Sequence, residues 1–401
     1  MYNRRNINIL ITDNAISIFS STFGTFLISW ILYELTGSKF AMGGLWLLTI
    51  TTQILIQFIC APYMDKWPKI KVMILSESFR LIAFTLLLFN FFFGWNDIFI
   101  FYSAVLLNSV TLFEPALNSI IPSIVNEGKL VMINSKIASI NQLVRFIAYP
   151  LAGVIIGIIG TNNSIVLLVI ISLISITLLM QFKYEIVSGQ LKEKWWNQFK
   201  KGLDVYKHNK ILIFMGVLIA VTNFGVFATI SMHVPYVNEI LNGGSFEYGL
   251  FAGSFPLGYI VMSFIIGKVN EPKYKLSFMM LALFIGGLTF LGLGYTNILG
   301  VAILLEFIAG CAMPMWNIYS TTIYQKLAPE NYRGQVFTVR SIIATAATPF
   351  GIIYGSIISS LIGLPFMYIS IGILTCFTSL LGIIILSYKM KNKSNIKYEV
   401  G

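Results

Sequence analysis

Twelve long apolar runs, parted by short polar turns, decide what this chain can fold into. They fall near residues 7–33, 41–62, 72–93, 98–125, 134–159, 164–182, 211–237, 248–268, 276–294, 298–325, 336–359 and 364–388. A helix needs about 20 apolar residues to cross a bilayer, because in hydrocarbon each backbone N–H and C=O must find its partner within the protein. Runs of this length predict an all-α polytopic membrane protein with twelve transmembrane helices. Composition agrees, since 57% of residues are hydrophobic and 11% charged, outside the balance of a water-soluble domain. The spans and their turns use up the 401 residues, so no separate soluble domain is expected. The run from Ile7 to Tyr33 is longer than a signal-peptide core and has no small-residue cleavage pattern, so it reads as the first span.

The net charge of +11 is a matter of topology. With the amino terminus in the cytoplasm, Arg4, Arg5, the segment from Asp65 to Lys71, Lys129, the stretch 183–210, Lys268 to Lys275, Lys326, Arg333 and the carboxy-terminal lysines share one side. The opposite loops hold Lys39 beside Glu34, Asp97, Glu239 and Glu247. This asymmetry predicts that both termini are cytoplasmic, and no nucleic-acid partner is expected. Cys60, Cys311 and Cys376 lie in apolar runs without CxxC spacing, so neither a disulfide nor a metal site is predicted, and no cofactor. The sequence holds no GxxxxGK[ST], HExxH or GxSxG, which speaks against an ATP-driven pump and against an enzyme.

The longest connection divides the chain near its middle. It predicts a bundle over 1–182, a linker over 183–210, and a second bundle over 211–401 with a short tail. Leu191, Trp195, Phe199, Leu203 and Tyr206 recur in the linker at helical spacing, and Lys192, Lys194, Lys200 and Lys201 supply cations. That pattern predicts an amphipathic helix on the cytoplasmic membrane surface. The halves also echo one another. PKIK at Pro68–Lys71 recurs as PKYK at Pro272–Lys275, Pro115-Ala116-Leu117-Asn118 as Pro314-Met315-Trp316-Asn317, and Pro150 as Pro349. Common order and similar offset point to two duplicated six-helix units.

The turn between spans two and three reads Ala61-Pro62-Tyr63-Met64-Asp65-Lys66-Trp67-Pro68-Lys69-Ile70-Lys71. It resembles the GxLaDrxGrk signature of the major facilitator superfamily, with Ala61 and Pro68 in place of its glycines. The resemblance spans essentially the whole chain, and within the superfamily it is nearest to bacterial exporters of the macrolide-efflux and enterobactin-exporter type. Pro115 to Asn118 with Pro122, Tyr149-Pro150-Leu151-Ala152-Gly153, and Pro329 to Phe337 carry that likeness. Tyr149 and Val154 replace glycines of the antiporter pattern, and Asn108 lies where many proton-coupled members hold an arginine. The resemblance implies two six-helix bundles in a bacterial inner membrane, a monomer, and proton-driven export of an amphipathic drug- or siderophore-like molecule by alternating access. A nutrient importer on the same fold is the alternative, as is a sensor or intramembrane enzyme. The resemblance also implies a conformational latch of Asp65, Lys66 and Lys69 against the start of span eleven near Gly334, where a carboxylate meets a helix N-terminus.

Ionisable side chains inside spans are costly and so are functional candidates. Seven stand out: Asp13, Glu77, Arg80, Glu114, Arg145, Glu306 and Arg340. Spans one, four, seven and ten line the cavity in the implied fold, and they hold Asp13, Glu114, His233 and Glu306. Asp13 lies about 9 Å from the start of its span, close enough to reach cytoplasmic water. Glu306 has no obvious cation on a neighbouring span, and a protonation role is expected for it and for Asp13. His233, beside Pro235, reads as a hydrogen-bonded interface residue. Glu77 and Arg80, three positions apart, are expected to neutralise each other. Glu114 and Arg145 lie equally far from the turn joining spans four and five, which predicts an ion pair about 16 Å into the membrane. Asn14, Gln53, Gln57, Asn118, Asn223, Trp316 and Asn317 are pocket candidates, and Gly153 and Gly157 read as close-packing sites.

Overall fold

The computed structural model describes the chain except for residues 1–3, 65–66, 96, 125–126, 183–194, 270–271, 273, 330–332 and 393–401. In chain order the helices are α1 (Arg4–Thr36), α2 (Lys39–Met64), α3 (Lys69–Phe92), α4 (Ile98–Asn108), α5 (Phe113–Ile124), α6 (Glu127–Met180) and α7 (Trp195–His208). They continue as α8 (Lys210–Ile230), α9 (His233–Glu239), α10 (Ser245–Ile266), α11 (Lys275–Tyr295), α12 (Leu299–Leu327), α13 (Arg333–Ala346), α14 (Thr348–Leu361) and α15 (Leu364–Asn392). Among the described residues there is no strand. The chain is an all-α, multi-pass membrane protein.

Among the described residues, 10 helices are long and apolar enough to cross a bilayer. Two local features reconcile this number with twelve runs. The predicted span over 98–125 is broken between α4 and α5, and Ser76 of α3 bridges the gap. Its hydroxyl donates to the Val110 carbonyl at 3.1 Å and accepts from the Leu112 amide at 3.2 Å. Backbone groups freed by the break are thus paired by protein, as burial demands. The runs at 134–159 and 164–182 lie together in the 54-residue α6, whose helical geometry fails at Gly160 (φ 76°, ψ 171°). A side chain disfavours that conformation, and glycine permits it.

The chain divides into two compact units, Met1–Lys194 and Trp195–Gly401. In the first, α1 packs on α6, and α3 packs on α4 and α6. Leu10, Met73, Leu117 and Leu179 belong to its core. In the second, α10 packs on α12, α11 on α15, and α8 on α14, over a core that includes Met279, Trp316, Tyr324 and Val336. The PKxK motif lies at a helix start in both units but two positions out of register, since α3 opens at its first lysine, Lys69, and α11 at its last, Lys275, both buried.

The helix predicted in the connection forms as α7, but its setting differs from the expected one. It packs on α13 and α8, and Tyr206 is buried in the core of the second unit. Protein therefore covers part of the apolar face expected to lie on lipid. Leu191, Lys192 and Lys194 lie outside the described residues.

Close packing of α10 on α12 depends on two glycines. A methyl group on Gly258 would strike the Phe307 carbonyl, and one on Gly310 would strike the Phe255 carbonyl. Gly157 is different, because a methyl there meets nothing within 4 Å, so it is not the close-packing site expected from sequence. Gly310→Ala is accordingly expected to lower unfolding free energy by about 1–3 kcal/mol through forced helix separation. Gly157→Ala should leave stability unchanged or raise it by up to about 1 kcal/mol. Thermal unfolding of the two purified variants in one detergent distinguishes these outcomes.

Candidate functional site

The first unit holds a polar cluster built by three helices inside an apolar bundle. Asp13 and Ser17 come from α1, Glu77 and Arg80 from α3, and Ser175 from α6. Asp13 is fully buried, with Oδ1 accepting from the Ser175 hydroxyl at 2.7 Å and Oδ2 without a partner. The expectation that it touches cytoplasmic water is thereby corrected. Depth along a helix does not give exposure once two neighbouring helices close over the position. Glu77 and Arg80 form the expected i,i+3 ion pair at 2.7 Å, and Ser17 donates to Glu77 at 2.6 Å. Arg80 Nη1 also donates to the Ser17 carbonyl at 3.2 Å, so the pair ties α3 to α1. Asn14 lies beside this cluster and donates to Asn141 Oδ1 at 2.6 Å.

Glu114 and Arg145 do not pair. Both side chains are exposed, and no ion pair within 4 Å joins them. Equal depth requires a continuous span four and a span five starting near Asn134. In fact α5 starts afresh at Phe113 and α6 starts at Glu127, so equal counts do not mean equal heights.

In the second unit Glu306 of α12 is 4% exposed and faces His233 at the start of α9, with 3.8 Å between Oε1 and Nε2. This imidazole, charged only if protonated, is a neighbour the sequence did not point to, and it does not overturn the expectation that Glu306 has no obvious cation beside it. It comes from the short helix that follows α8, where a lone histidine gives little warning of a carboxylate partner. Aromatic rings close around the pair. The His233 ring meets Phe251 edge-on at 5.1 Å, Tyr236 lies 4.7 Å from Tyr368, and Tyr236 donates to the Leu293 carbonyl at 2.7 Å. The Tyr368 hydroxyl is buried without a partner. Such a site can hold a proton out of reach of bulk water.

Arg340 of α13 lies in the same unit, over the Tyr324 ring at 4.8 Å and the Phe337 ring at 5.6 Å. The Tyr206 hydroxyl of α7 donates to that of Tyr324 at 3.1 Å. Burial and this contact hold the Tyr206 phenol well above its ordinary pKa, so it stays a proton donor.

The pocket candidates scatter. Gln53 and Asn317 are half-buried, and Asn223 donates to the Ile219 carbonyl of its own helix at 2.9 Å. Trp316 is 5% exposed within the apolar core, a packing side chain. The side chains of Gln57 and Asn118 are outside the described set, as are Asp65 and Lys66; Lys69 is buried, and Gly334 sits in the first turn of α13. A cavity of about 330 Å³ between α1 and α6 is lined by Ile16, Phe19, Val144 and Ile171 among others, and by none of these candidates. Among the described residues no group of three His, Cys, Asp or Glu side chains is placed to hold a metal.

The family model for the Major Facilitator Superfamily matches residues 14–351, with an overlapping match at 217–399. The chain belongs to the major facilitator superfamily. Members related to it in sequence include the uncharacterised MFS-type transporter YvqJ of Bacillus subtilis (strain 168), 24% identical over 87% of this chain and 84% of the relative. Macrolide efflux protein A of Streptococcus pyogenes is 22% identical over 90% of this chain and 91% of its own. The fold is shared with solved superfamily structures. The nucleoside transporter NupG superposes with a TM-score of 0.76 at 13% identity, covering 95% of this chain and 100% of that one. A bacterial homologue of the iron transporter ferroportin, in an inward-facing state, gives 0.72 at 15% identity, covering 98% and 100%. For a superfamily transporter, buried carboxylates in separate units are the groups to weigh for ion coupling.

Proposed function

We propose that this superfamily transporter exports amphipathic small molecules from a bacterial cell by alternating access, with protons as the counter-ion. The observation that carries the reading is a pair of buried carboxylates with no arginine or lysine within ion-pair distance among the described residues. Asp13 meets a serine hydroxyl, and Glu306 faces a histidine. A carboxyl group so placed trades its proton when the surrounding helices admit water, which is the event a proton-coupled cycle needs. Export is supported by the likeness to macrolide efflux protein A over 90% of this chain, and a drug- or siderophore-like substrate suits the apolar spans. The bundles 1–182 and 211–401 are the moving parts of this scheme, the protein works as a monomer in the inner membrane, and both termini face the cytoplasm.

The test is an efflux panel of drugs and metabolites in a pump-deficient bacterial host expressing the protein. Export predicts lower accumulation of at least one amphipathic compound, abolished by a protonophore. Accumulation above that of the empty host would favour the importer instead.

A further inference from the structure

Arg340 is a guanidinium with a part-filled set of partners. Nη1 donates to Thr321 Oγ1 at 3.1 Å and Nη2 to Ser320 Oγ at 3.2 Å. Both acceptors are neutral hydroxyls, and among the described residues no carboxylate lies within 4 Å of it. Two of its five N–H donors are thus committed. Arg340 is half-buried, and with two donors committed its fork has N–H groups left to give. Tyr324 and Phe337 lie against the guanidinium, and the Tyr206–Tyr324 hydrogen bond pins α7 beside them. Aromatic backing and hydroxyl anchors hold the planar fork in one orientation without neutralising it. That is how a protein presents arginine to two oxygens of one anion.

We propose that Arg340 anchors an oxyanion-binding site in the second unit that takes a phosphate or phosphodiester group, with Ser320 and Thr321 keeping the guanidinium in register. A positive charge within a span calls for an anion. The same chemistry is offered by an anionic lipid headgroup and by a soluble phosphate.

The purified full chain tests this in two arms. In detergent, thermal unfolding is followed against inorganic phosphate, with chloride at matched ionic strength as the control. In bilayers, it is compared between phosphatidylcholine alone and phosphatidylcholine with phosphatidylglycerol. The parent should be stabilised in at least one arm. Phosphatidylglycerol alone identifies a headgroup site, and inorganic phosphate alone a soluble oxyanion. Arg340→Gln should weaken that dependence by about 10-fold in half-saturating concentration. Arg340→Lys should weaken it less, because it keeps the charge and loses the fork. Lys207→Gln, on the exposed face of α7, should keep the parent's response. A folded Arg340→Gln protein with the parent's response, or a parent that responds in neither arm, overturns the proposal. If the Gln variant does not fold, the Lys variant decides alone, and an unchanged response in it counts against the site.

Discussion

Arg80→Gln is expected to lower the unfolding free energy by about 3–5 kcal/mol, among the largest single-site effects in this protein. Arg80 is 3% exposed, and its Nη1 reaches both Glu77 oxygens, at 2.7 and 2.9 Å, as well as the Ser17 carbonyl. Glutamine is too short and carries no charge, so it leaves a fully buried Glu77 with Ser17 as its remaining donor. The cost lies in that orphaned carboxylate more than in the lost attraction. The double variant Glu77→Met with Arg80→Met should therefore recover most of the loss, because replacing a buried pair by apolar side chains of similar volume is often close to neutral. Thermal or denaturant unfolding in detergent reads both. A single variant within about 1 kcal/mol of the parent would show that the pair is solvated and not a brace.

Asp13→Asn is expected to abolish flux driven by a pH gradient, reducing it to the rate seen with a protonophore. An amide cannot take up and release a proton, yet its oxygen can still accept from Ser175, so the bundle should survive. The unpartnered Oδ2 would become an N–H₂ donor in a dry site, at a cost of about 1–3 kcal/mol, which is tolerable. In proteoliposomes loaded with a compound found by the efflux panel, gradient-driven flux should vanish while exchange without a gradient persists. Loss of both would make Asp13 a folding or substrate residue. Glu306→Gln receives the same pair of assays, and if both variants keep the parent's pH-dependent flux, the coupling groups lie elsewhere.

The likeness of Glu77–Arg80 to its prediction and the failure of Glu114–Arg145 have one physical explanation. Residues three apart on a helix are neighbours whatever the rest of the chain does, so the first pair was readable from spacing. The second needed the relative heights of two helices. That height is set by where each helix starts, by the break at 109–112 and by the reversal at Gly160, none of which alters the apolar pattern. Glu306 and His233 show the same limit, since their meeting depends on where α9 starts after α8 ends at Ile230, which brings His233 to within 3.8 Å of the Glu306 carboxylate.

Sequence alone determined the class, because hydrocarbon allows a backbone few ways to satisfy its polar groups and apolar length reports the spans directly. It also determined the family, through the charged turn after span two, and pointed to a duplication, through PKIK and PKYK and the paired prolines. Tertiary structure decided which polar side chains are buried together: that Ser175 partners Asp13, that Ser76 mends the broken span, and that Tyr206 joins α7 to the second unit. A serine or tyrosine in an apolar run costs little and signals little, so its role appears only when packing brings a partner within about 3 Å, where hydrogen bonding begins.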